Sequence, residues 1–224
     1  MSAMAGIWRG LDWSMIVKLL LSVIPALLCI VFHELSHGVV ALWLGDTTAR
    51  DMGRLTLNPI KHLDIWGLVM MVFCGFGWAK AVPVNMWRFK NPKRGMAVTA
   101  LAGPVSNILL ACIVLALYGL LFSLLPDKNW SVYLSLTMQR TAILSCSLAV
   151  FNLIPIPPLD GSKVLFSLLD ERRYQWLMRY ERYGFILLIL LTTTGAASGL
   201  VSRISGGLYN APFFIAQYTN GLVI

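Results

Sequence analysis

The chain has 224 residues, of which 58% are hydrophobic and 12% charged, and its mean hydropathy is +0.73. A soluble domain of this size cannot bury so much apolar surface, so the composition excludes a soluble globular protein and implies a polytopic one embedded in a lipid bilayer. The net charge of +8 falls in loops that flank the apolar runs, where anionic lipid and topology account for it, which argues against nucleic acid as a partner.

The fold class implied is all-α, a single membrane-embedded domain over 1–224 with about four transmembrane helices at roughly 14–44, 96–125, 133–154 and 183–202. At ~1.5 Å per residue the first run is longer than a ~30 Å hydrocarbon slab is thick, so it must tilt, protrude or bend, and Pro25 offers the bend. It is not read as a cleaved signal peptide, because no small-residue cleavage site follows it.

This first run contains His33, Glu34 and His37 in the motif HELSH. Helix positions i and i+4 share a face, so both imidazoles can meet one Zn2+ while Glu34 points into the same space, as in a zinc hydrolase. Charged groups at mid-membrane cost roughly 2.5–3.5 kcal/mol each on insertion scales, so an ionisable cluster there marks function by default.

The loop from about 45 to 95 carries eight of the 18 basic residues: Arg50, Arg54, Lys61, Lys80, Arg88, Lys90, Lys93 and Arg94. The positive-inside rule makes it cytoplasmic, and with four spans the loop of 158–182, with Lys163, Arg172, Arg173, Arg179 and Arg182, returns to the same side. Within the first loop, Thr47–Leu57 and Lys80–Asn85 have the short, alternating character of strands. An unwound substrate segment could add to them by β-pairing. Between them WGLVMMVFCGFG (66–77) is apolar but too short to span, which suits a re-entrant segment. After the last run, Pro212 limits any long helix in 203–224.

Cys29, Cys74, Cys112 and Cys146 lie singly in apolar sequence without metal-ligand spacing and read as core residues. A catalytic zinc keeps three protein ligands and an open position, so HELSH needs a partner. His62 is the remaining histidine and reads as an interfacial or hydrogen-bonded one. Asp160 is the stronger candidate. It follows the third run in FNLIPIPPLDG, where Pro155, Pro157 and Pro158 break the helix, and it reaches the same membrane depth as the histidines. A polar path for water could be lined by Ser36, Ser106, Asn107, Ser145 or Ser147.

HELSHG, LAGPVSN (101–107) and FNLIPIPPLDG (151–161) resemble, in order and separation, the three signature segments of the site-2 proteases, intramembrane zinc metalloproteases. The connecting region, LGDTTARDMGRLTLNPIKHLD and GFGWAKAVPVN, resembles that of the compact bacterial branch without a PDZ domain. The resemblance covers about 30–170. It implies one zinc per chain on His33, His37 and Asp160, water activation by Glu34, and substrate contact by Asn152; Asn107, in the GPVSN segment, is a further substrate-contact candidate. It also implies a transmembrane protein substrate and a multi-pass location in the bacterial cell membrane, with the site toward the cytoplasm. The alternative is a carrier moving metal or protons through the same His/Glu/Asp cluster, although Glu34 has no relay beyond the site and no inverted repeat is visible. Substrate identity and oligomeric state are not encoded in any recognisable motif.

Overall fold

The computed structural model describes residues 13–67, 78–122, 129–170, 172–174, 183–184, 186–191, 194–195 and 198–222. Its principal helices are α1 (Trp13–Trp43), α2 (Thr48–Asp51), α3 (Pro92–Phe122), α4 (Asn129–Asn152), α5 (Asp160–Ser167) and α6 (Ser198–Leu222), with 3-10 turns at Pro59–His62 and Met86–Arg88. Among the described residues, α1, α3 and α4 are long and apolar enough to cross a membrane, over Leu21–Trp43, Pro92–Leu121 and Trp130–Asn152. They match the first three expected spans within a few residues.

The spanning helices pack on one another, with α3 in the middle. Ala111 and Leu115 of α3 meet Ala142 and Cys146 of α4, and Leu208, Tyr209 and Phe213 of α6 close over them. Small side chains at this seam let the backbones approach, which is how helices associate where lipid supplies no hydrophobic drive. Leu109, Ile113, Leu117 and Leu120 on the other side of α3 stay exposed, the pattern of a lipid-facing surface.

α3 starts where Asn91 Oδ1 accepts a hydrogen bond from Arg94 N, with Pro92 at the first helical position, where its missing N–H is no loss. α4 ends at Asn152, just before the three prolines, and α5 starts at Asp160. A Cβ on Gly161 would collide with the backbone of Leu153 and Ile154, so glycine is what lets α5 fold back against the end of α4.

The fourth expected span is not one helix. A turn at Thr194–Gly195, with Gly195 at φ 69°, separates the helical residues 186–191 from α6. α6 runs on through Pro212, contrary to the expectation of no long helix in the tail, and its Leu208, Tyr209 and Phe213 are anchored against α3 and α4.

The strand reading of the insert is corrected as well. The described residues contain one isolated antiparallel bridge, Leu63 with Ala79, and no strand. At Thr47–Leu57 the buried carboxylate of Asp46 accepts from the Thr48 N–H at 3.0 Å and from the Thr48 hydroxyl, and this local turn leads into α2 in place of an extended run. Lys80–Asn85 forms no strand, and part of its backbone is already bonded. Lys80 N bonds His62 O, Val82 N bonds Glu34, Asn85 N bonds Asp46, and Arg54 Nη2 donates to the carbonyls of Lys80 and Ala81. The expected re-entrant segment, 66–77, lies almost wholly outside the described residues.

Candidate active site

His33 and His37, one turn apart on α1, are both buried, and their rings meet edge to face with centroids 4.7 Å apart. Asp160, at the first turn of α5, places one oxygen, Oδ2, 3.1 Å from His33 Nε2 and 3.1 Å from His37 Nε2. Its other oxygen lies 3.6 Å from Lys163 Nζ. Two distant stretches of chain are thereby brought to one point by the proline break after α4.

α3 supplies the back wall. His37 Nδ1 lies 2.7 Å from the Thr99 carbonyl, which can only accept, so this nitrogen carries the ring proton and Nε2 is left with its lone pair. Asn107, fully buried, has its side-chain nitrogen 3.3 Å from His33 Nδ1. Between them on α3 lies Gly103, where a Cβ would stand 2.6 Å from His33 Cε1, His37 Cε1 and His37 Nε2. No side chain fits there, so glycine allows α3 to press against both imidazoles.

The donor set fits a metal. The lone pair of His37 Nε2 faces a carboxylate oxygen at 3.1 Å, a contact that repels unless a proton or cation sits in it. Ligands about 2.0–2.1 Å from a tetrahedral zinc lie roughly 3.3 Å apart, close to the separations found. One ligand atom from each of His33, His37 and Asp160 lies within 4.8 Å of the other two.

Glu34 accepts a hydrogen bond from Val82 N at 2.8 Å. It shares with His33, His37, Asp160, Asn152 and Lys163 the lining of a cavity of about 920 Å3, otherwise largely apolar. Asn152 lines this cavity at the end of α4 and spends one amide hydrogen on Leu148 O at 2.9 Å. Asn107 does not line it and stands behind His33, out of reach of a substrate. The serines expected along a polar path are elsewhere: Ser36, Ser106 and Ser145 bond to backbone carbonyls of Phe32, Gly103 and Asn107, and none of the five suggested residues lines the cavity. His62 is fully buried, donates from Nε2 to Thr56 O at 2.8 Å, and takes no part in the cluster.

The sequence marks neither the Thr99 carbonyl nor the Val82 N–H, and it shows Lys163 only as one of the basic residues of 158–182. Any residue offers a carbonyl or N–H, so the first two leave no signal. Lys163 had one, since it follows Asp160 by three positions on a helix.

Two buried imidazoles and a glutamate on a membrane-length helix, met by a buried carboxylate from the short helix that follows α4, define a multi-pass membrane protein of the zinc metalloprotease class. The sequence profile of Peptidase family M50 matches residues 121–192. The Bacillus subtilis (strain 168) protein named "Putative zinc metalloprotease YwhC" is 38% identical over 186 residues, covering 79% of this chain and 81% of that protein. "Putative zinc metalloprotease Rip2" of Mycolicibacterium smegmatis is 29% identical over 178 residues, 76% of this chain and 65% of the relative. Its namesake in Mycobacterium tuberculosis (strain H37Rv) is 30% identical over 180 residues, 77% and 66%. No solved structure gives a significant match. The chain belongs to Peptidase family M50, the site-2 protease family, and is a zinc metalloprotease.

Proposed function

We propose that this protein hydrolyses peptide bonds in or near transmembrane segments of other membrane proteins, from a site opening toward the cytoplasm of a bacterial cell. The observation that carries the reading is the Glu34, His33, His37 and Asp160 constellation facing one cavity among helices of membrane-spanning length. His33, His37 and Asp160 hold the zinc, which supplies a Lewis acid able to polarise a carbonyl and to bring the pKa of water toward about 7. Glu34 takes the proton of the attacking water and passes it to the leaving nitrogen. Its bond from Val82 N keeps the carboxylate at the cavity rather than swung along α1. Asn152, which lines the same cavity, contacts the substrate backbone.

A helical substrate hydrogen-bonds its own backbone, so its peptide bonds are reached only after local unwinding. The apolar wall of Leu27, Ile30, Leu148 and Phe151 accepts the side chains of such an unwound segment.

Glu34→Gln keeps the shape of the side chain and loses its basicity. Cleavage of a transmembrane peptide by the detergent-purified variant is expected to fall by at least about 10²- to 10⁴-fold, with zinc content unchanged. Membrane-fragment proteomics with wild type and this variant would identify the substrate. Equal cleavage by both would sink the protease reading and favour carriage of metal or protons by the same cluster.

A further inference from the structure

The two histidines are held differently behind their Nε2 atoms. His37 faces a backbone carbonyl, Thr99 O, so its proton is pinned on Nδ1 in every state of the site. His33 faces a primary amide, which can donate from Nδ2 or, after a half-turn about its last torsion, accept at Oδ1. Asn107 is fully buried, and its Oδ1 has no hydrogen-bond partner on the far side. His33 alone therefore decides which way the amide points, and a half-turn breaks no other bond.

As found, the Asn107 amide nitrogen faces His33 Nδ1 as a donor, which places the ring proton on Nε2, toward Asp160 Oδ2 at 3.1 Å. That tautomer cannot ligate through Nε2. With zinc bound, the proton has to sit on Nδ1 and needs an acceptor, which the turned amide provides. We infer that Asn107 is a positioning residue that holds His33 by Nδ1 with and without metal, reversing its amide as the His33 tautomer reverses. An aspartate would serve only the loaded state and a leucine neither. The inference rests on His33 being a zinc ligand.

Zinc affinity measured by chelator competition on the full-length protein tests it. Asn107→Leu is expected to weaken binding by about 10- to 100-fold, and Asn107→Asp, an acceptor, to restore most of that loss. The chain has three histidines, so 15N-histidine NMR of the wild type gives an independent reading. His33 should carry its proton on Nε2 without metal and on Nδ1 with zinc. Wild-type affinity in a folded Asn107→Leu protein, or Nε2 protonation of His33 in the zinc-loaded wild type, would overturn the inference alone. Unchanged zinc binding in His33→Ala would overturn the ligand assignment beneath it, and the inference with it.

Discussion

Gly103 carries more of the site than any residue lacking a side chain would suggest. A methyl group there would overlap both imidazoles at 2.6 Å, and neither ring can retreat, since His37 is tied to Thr99 O and His33 to Asn107. Gly103→Ala is therefore expected to lower zinc affinity at least tenfold, roughly the loss seen when a ligand's supporting contact is removed, while the helical content stays intact. Metal content after dialysis against a chelator, with circular dichroism alongside, checks this; full zinc retention would mean that α3 does not press on the histidines. The HELSH spacing made His33, Glu34 and His37 legible in the sequence, and the proline break made Asp160 legible. Asn107 was visible as a polar residue in an apolar run, but its place behind His33 depends on which face of α3 turns toward α1, and that is set by packing.

At the scale of elements, the insert between α1 and α3 was the least legible part, because local side-chain bonds override the alternating pattern there. Asp46 is its anchor. Fully buried, it receives the Thr48 and Asn85 N–H groups, with Arg88 3.9 Å away. Burial pushes its carboxyl up, but the bonds from the Thr48 hydroxyl and from the Asn85 and Thr48 backbone outweigh that, helped by Arg88, and hold it below the usual carboxylate range. A folded-state value below the unfolded one stabilises the insert fully above about pH 4, and the contribution is lost as pH falls through the folded value. Limited proteolysis of the wild type should thus show the segment from 44 to 91 opening only in acid. Asp46→Ala removes the acceptor shared by the part-buried Thr48 and Asn85 N–H groups, at about 1 kcal/mol each. In that variant the segment is expected to be cut at neutral pH with no further acid step, and an unchanged acid step would assign the transition to another group.

For the whole molecule, orientation follows from where the charge lies and from how the loops touch. Lys93, at the start of α3, donates to Leu169 O at 2.8 Å, and Tyr174 OH reaches Met86 Sδ at 3.6 Å, so the basic segment before α3 and the basic segment after α5 meet at one end of the bundle. The stretches 45–95 and 158–182 hold eight and five of the 18 Lys and Arg residues of the chain, 13 in all, an excess for which the positive-inside rule predicts the cytoplasmic side. The metal site lies on the side of the spanning helices nearer this end, because Asp160 follows directly on α4 and Glu34 is bonded from Val82 of the insert. Single cysteines at the exposed positions Arg50, Lys90 and Arg172, in a background without the native thiols, are therefore expected to resist an impermeant maleimide in intact cells and to react after permeabilisation. A cysteine at the exposed position Trp130, at the opposite end of α4, should react without permeabilisation. The reverse labelling pattern would put the site on the outer face, where a proteolytic product would be released outside the cell instead of into the cytoplasm.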